Sequence, residues 1–323
     1  MTEGNTQGVA PRAHVIDLVL LVLCNVMFGA QYPATKAAVM NMGPVLLSLL
    51  TFATGTICLM PFLILESRAH PEQPHPLALF RGKNLLPFFM ATVLGFIPAS
   101  VVLAWGIERS LASNAALLTL SIPIFTAMLA SLVRQEHMTP WRWLSFALGI
   151  TGAIISSDID WHNLKVFSAG YLVGNALILL GCSGSAFTNV YSKGLLELFQ
   201  PVRLLVASYV FSGLICIPLL LWVEPVHWNT LGSYPAGTWI GLGILGFFSW
   251  GLSMVLFFRV LSRLEVTQVS LSIYLLPFFG ILLSALFLNE KISGAIIGGG
   301  VLVLTGTSLI LFADNRATRS GQA

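Results

Sequence analysis

Long apolar runs, separated by short charged or proline-rich stretches, occupy almost the whole chain. They fall at about 15–38, 44–65, 86–108, 111–133 and 141–157, and, beyond a polar stretch at 158–168, at 169–193, 201–223, 237–261, 265–288 and 292–312. Each approaches the roughly 20 apolar residues that carry an α-helix across a bilayer core. The pattern predicts an all-α integral membrane protein of ten transmembrane helices.

Composition strengthens that picture. Charged residues make up 9% and hydrophobic ones 56%, with a mean hydropathy of +0.86, against about 25% charged in a soluble domain. A net charge of +3 is too small and too dispersed for nucleic acid. Cys24, Cys58, Cys182 and Cys216 lie inside apolar runs without CxxC spacing, so neither a disulfide framework nor a metal site is expected. The first run is longer than a signal-peptide core and lacks a small-residue cleavage site before Lys36, which makes it the first span.

Lys and Arg orient the spans, because short cytoplasmic loops retain positive charge. With both termini inside, Arg12, Arg68, Arg81, Lys83, Arg134, Arg142, Lys193, Arg203, Arg259, Arg263, Arg316 and Arg319 face the cytoplasm, and only Lys36, Arg109, Lys165 and Lys291 face outward. Cytoplasmic termini in an inner or plasma membrane are therefore expected.

The chain also repeats itself. An offset of 154 aligns Arg109 to Ile155 with Arg263 to Leu309, pairing Arg109 with Arg263, Asn114 with Gln268, Pro123 with Pro277, Glu136 with Glu290, and Thr151-Gly152 with Thr305-Gly306. Nearer the N-terminus an offset of 157 pairs Lys36 with Lys193, Pro44 with Pro201 and Pro61 with Pro218. Five spans per half is an odd number, so the second half enters the membrane inverted, and such halves place a substrate site near the midplane between them. The expected organisation is a tail at 1–14, a first repeat at 15–157, an extracytoplasmic connection at 158–168, a second repeat at 169–312 and a tail at 313–323.

With Pro123, Glu136, Thr151-Gly152 and their partners Pro277, Glu290, Thr305-Gly306, together with Phe28-Gly29 to Lys36, the chain resembles the ten-span EamA-like branch of the drug/metabolite transporter superfamily. The resemblance implies that the first, third, fourth, sixth, eighth and ninth helices line a central cavity, supported by the fifth and tenth. Phe28 stands where that family often has Trp. The resemblance also implies export of amino acids or related compounds.

Charge in a bilayer centre usually marks function, and none is expected here. Asp17 reads as a solvated residue at the mouth of the first span, and all six His fall in tails or loops. Glu136 and Glu290 read as charges at the starts of the fifth and tenth helices, beside the N-cap candidates Thr139-Pro140 and Ser293-Gly294. Lys36 and Lys193 read as cations at their own helix ends. Polar and aromatic side chains at depth are the cavity candidates: Asn25, Phe28, Gln31, Trp105, Asn114, Thr119, Ser183, Asn189, Trp250, Gln268 and Tyr274. Each amide or hydroxyl can equally bond a neighbouring helix. Pro33, Pro98, Pro123 and Pro277 are hinge candidates, or fixed bends. The GxxxG spacings at 170–174 and 294–298 suit close packing within a monomer, a homodimer seam being the alternative.

No phosphate loop, dinucleotide fingerprint or zinc-protease motif occurs, and no cofactor is expected. The expected function is secondary transport, as an exporter, of a small neutral or zwitterionic metabolite by alternating access. A lipid-modifying intramembrane enzyme and a membrane scaffold or sensor without flux are the alternatives.

Overall fold

The computed structural model describes residues 11–110, 112–156, 170–224, 232–288 and 294–312. These residues contain ten helical spans. In the first half α1 joins Pro11–Gly29 to Gln31–Val39, α2 is Pro44–Ala69, and α3 runs from Leu85–Ala91 to Leu103–Glu108. α4 joins Ala112–Leu118 to Ser121–Val133, and α5 is Pro140–Ser156. In the second half α6 is Leu172–Leu196, α7 is Pro201–Val223, and α8 runs from Ala236–Gly243 to Met254–Leu261. α9 runs from Val266–Ser270 to Leu275–Leu288, and α10 is Gly294–Phe312. α1, α2, α3, α6, α7 and α8 are apolar spans of 23 to 27 residues, long enough to cross a bilayer. The others are shorter or interrupted, α5 having 17 residues. α1 begins at Pro11, so His14, expected in a tail, belongs to the first helix.

The halves interlock by exchange. α5 packs along α10 and α2 along α7. α6 lies against α3 and α4 of the other half, and α1 reciprocates against α8 and α9. The α5–α10 pair rests on the Thr-Gly repeat. A Cβ on Gly152 would stand 2.6 Å from the Gly299 carbonyl oxygen and 2.8 Å from the Val303 nitrogen; one on Gly306 would stand 2.9 Å from the Ser145 oxygen and 3.3 Å from the Gly149 nitrogen. The offset of 154 carries 145 to 299 and 149 to 303, so each glycine meets the counterpart of its partner's contact. Gly152→Val is expected to force the two backbones apart and lower stability by about 1–3 kcal/mol, read as a lower Tm in detergent. Gly298→Val, with no described residue within 4 Å of its Cβ, should unfold like the parent.

Of the GxxxG glycines, Gly174 packs on the Arg109 backbone, whereas Gly170, Gly294 and Gly298 meet nothing within 4 Å among the described residues. The expected packing within the chain thus holds at Gly174 alone among these four.

Helix ends are tied across the bundle. Glu66, near the end of α2, accepts from the Arg203 nitrogen at the start of α7 (3.0 Å), and Glu224, just past α7, accepts from Val45 and Leu46 nitrogens at the start of α2 (2.8 and 3.1 Å). Glu136 accepts from the Val266 and Thr267 nitrogens of α9 (2.8 and 2.9 Å). A carboxylate at a helix start satisfies orphan N–H groups and the positive end of the dipole. Glu136 therefore serves α9 of the other half rather than α5, whose start is capped by the Thr139 hydroxyl. Glu290 and Ser293 lie outside the described residues.

The two lysines also differ from expectation. Lys36 Nζ donates to the Ile107 and Ser110 carbonyls (2.9 and 3.2 Å), and Lys193 Nζ donates to those of Leu261 and Ser262 (2.9 and 3.1 Å). Each cation completes the C-terminal end of a neighbouring helix, α3 or α8, instead of its own. Asp17 is likewise not solvated: it is 1% exposed and bonded to Arg263 Nη1 at 2.9 Å.

Candidate functional site

Where α1 and α6 meet α3, α4, α8 and α9, a cavity of about 90 Å³ opens at mid-bundle. Phe28, Gln31, Phe96, Ala99, Leu103, Ile122, Ser185, Thr188, Asn189, Trp250, Met254, Phe257, Ile273 and Leu276 line it. A smaller space of about 20 Å³ adjoins it, lined by Thr35, Ser48, Thr51 and Ser100 and sharing Gln31, Ala99, Leu103 and Trp250. At roughly 15 Å³ per water, the larger cavity holds a handful of waters. Among the described residues no charged side chain lines either space.

Irregular backbone surrounds it. α1 breaks at Ala30 between Gly29 and Gln31. α3 carries wide i→i+5 turns at Thr92–Phe96 and Pro98–Val102, and α8 carries one over Ile244–Ser253. Such turns are frequent at functional sites, and here the Tyr209 hydroxyl of α7 donates to the Trp250 carbonyl oxygen. Pro33, Pro123 and Pro277 each stand third in the helical segment after a break, where the missing N–H has no partner to lose, and Pro98 opens the second wide turn of α3. Phe96 and Trp250 of the lining join Phe52 and Tyr209 in an aromatic cluster with centroids 5.3–6.0 Å apart.

The polar lining is lightly committed. Asn189 Nδ2 reaches Thr126 Oγ1 at 3.5 Å, and the Thr188 and Ser185 hydroxyls reach carbonyls at 3.4 Å. The Gln31 amide makes no hydrogen bond among the described residues. Groups held at the outer limit of hydrogen-bond length retain capacity for a bound solute.

Of the sequence candidates, Phe28, Gln31, Asn189 and Trp250 line the cavity together. The rest lie elsewhere. Asn25 Nδ2 bonds the Leu21 carbonyl (2.7 Å) and Ser272 Oγ (3.0 Å), tying α1 to α9. Asn114 bonds Ser110 Oγ and Asn175 Oδ1 (3.3 and 3.4 Å). Gln268 completes a capping box with Glu265 at the start of α9. Ser183 donates to the Leu180 carbonyl of its own helix, Thr119 is buried outside the cavity, and Trp105 is half-buried against the core. Tyr274 lines a separate apolar groove beside α4 and α5.

The lining residues that the sequence does not single out include Phe96, Leu103, Ser185, Thr188, Met254 and Phe257. The repeat could have found several of them. Offsets of 157 and 154 carry Phe28 to Ser185, Gln31 to Thr188, Phe96 to Trp250 and Leu103 to Phe257, and all eight residues line the cavity.

The sequence profile of the EamA-like transporter family matches twice, over residues 16–157 and 172–312. The chain belongs to the EamA-like transporter family. Its members are transporters within the drug/metabolite superfamily, so this chain is a multi-pass membrane transporter and not an enzyme. EamA-like relatives include Escherichia coli K12's "Probable amino-acid metabolite efflux pump", 26% identical over 92% of this chain and 95% of its own. Streptantibioticus cattleyicolor's "Probable terminal-alkyne amino-acid exporter" is 24% identical over 90% and 91%. Rickettsia conorii's "S-adenosylmethionine uptake transporter" is 21% identical over 75% and 79%. A solved crystal structure covering 96% of this chain and 99% of its own shares the fold, at TM-score 0.72 and 15% identity.

Proposed function

We propose that this EamA-like transporter exports a small neutral or zwitterionic metabolite, of amino-acid size and type, by alternating access. The observation that carries the cargo class is the cavity lining: aromatic faces and uncharged amides and hydroxyls from both halves, with no ionised side chain among the described residues. A net charge desolvated there would lack a counter-ion. A zwitterion can satisfy its ends on the Gln31 and Asn189 amides and the Ser185 and Thr188 hydroxyls. The relatives named for amino-acid export support the class and the direction. The positive bias of the loops supports cytoplasmic termini in a cell membrane, and a monomer completes the reading, since both halves of the cavity come from one chain.

Proteoliposomes preloaded with neutral, cationic or anionic amino acids test it by counterflow. Exchange confined to the neutral set is expected. Exchange of only cationic or anionic members would refute the cargo class.

A further inference from the structure

Away from the central cavity, α2, the start of α7 and the end of α8 bound a groove of about 490 Å³ at one end of the bundle. Phe62 and Leu65 of α2, 43% and 62% exposed, and Val255 of α8 give it an apolar wall. Arg259, Arg263 and His70 gather at its other part. Val255 and Arg259 are spaced i, i+4, so one stripe of α8 turns from apolar to cationic towards its end, and Arg263 follows in the turn after it.

The charges there are unequally committed. Arg263 is held by Asp17, His70 bonds Glu72, and the Glu66 carboxylate in the groove accepts from the Arg203 nitrogen. Arg259 is exposed and bonds no acceptor among the described residues. A guanidinium presents a planar fork of donors matched to phosphate oxygens, and basic pockets between helices at a membrane boundary suit anionic headgroups. We propose that this groove binds one anionic phospholipid, its phosphate on Arg259 and an acyl chain along Phe62, Leu65 and Val255. A soluble phosphate compound would leave the apolar wall uncovered, and a zwitterionic lipid would bring its own cation towards Arg259. The site shares no residue with the cavity and is independent of the cargo.

Native mass spectrometry of the full chain, released from neutral detergent with equal phosphatidylglycerol and phosphatidylcholine of matched chains, tests it. The parent should retain one phosphatidylglycerol in preference. Arg259→Gln should reduce that preference about fivefold, the contribution of one basic side chain near an anionic headgroup. Arg259→Lys should keep most of it, and Leu65→Glu should lower retention while leaving every cation in place. If Arg259→Gln fails to fold, the Lys and Leu65 variants decide the matter. Equal retention of both lipids by the parent, an unchanged preference in folded Arg259→Gln, or displacement of the lipid by millimolar glycerol phosphate would overturn the assignment.

Discussion

Arg263→Ala is expected to lower stability by about 3 kcal/mol, and Asp17→Asn by about 1 kcal/mol or less. The difference comes from where the two charges sit. Asp17 is 1% exposed, while the Arg263 side chain keeps 44% of its surface. Removing Arg263 strands a carboxylate with nowhere to be solvated, the situation that costs about 3–5 kcal/mol in buried pairs. The exposed flank of Arg263 places the effect at the low end. Removing the Asp17 charge instead leaves a guanidinium that water can reach, so the loss approaches that of a surface pair. Thermal unfolding in detergent compares the variants, and equal shifts would show that the burial argument is wrong. The pair joins α1 to the turn after α8, and so one half to the other. At the opposite end the counterpart of Arg263, Arg109, bonds its neighbour Glu108, and the position equivalent to Asp17 is Gly174.

Gln31→Ala should separate transport from stability. Its amide bonds nothing among the described residues, so truncation should change unfolding by no more than about 0.5 kcal/mol. A cargo that hydrogen-bonds the amide loses about 0.5–1.5 kcal/mol, a fall of about two- to tenfold in apparent affinity. Asn25→Ala is the reciprocal case. It cuts the bonds to Leu21 and Ser272 and should destabilise by about 1–3 kcal/mol while each folded molecule keeps its affinity. Paired counterflow and unfolding measurements check both, and a Gln31→Ala chain as unstable as Asn25→Ala would place Gln31 in the packing instead.

Residues with a local signal were legible in the sequence. Apolar runs located the spans, and Pro33, Pro123 and Pro277 coincide with breaks in α1, α4 and α9. The inward faces were not legible, because a membrane helix is apolar on both its lipid and its core side and shows no amphipathic period. Hence Ser183 was chosen over Ser185, two residues further round the same helix. Long-range caps were equally hidden. Glu136 lies 130 residues from the α9 nitrogen it accepts from, and Glu224 lies 179 from Val45, whereas capping signals are read from adjacent residues. Asp17 misled because a carboxylate at a span mouth is usually solvated, and its partner lies 246 residues away.

A cavity between inverted halves that opens to each face of the membrane in turn must be reachable from both sides. Thr188 lines that cavity on α6, and the most direct test is Thr188→Cys in a chain whose Cys24, Cys58, Cys182 and Cys216 are replaced by alanine. Sealed vesicles would receive a membrane-impermeant thiol reagent from either side. Modification from both sides, slowed by a transported amino acid, is the predicted result. Modification from one side alone, or from neither in a chain that still transports, would contradict it.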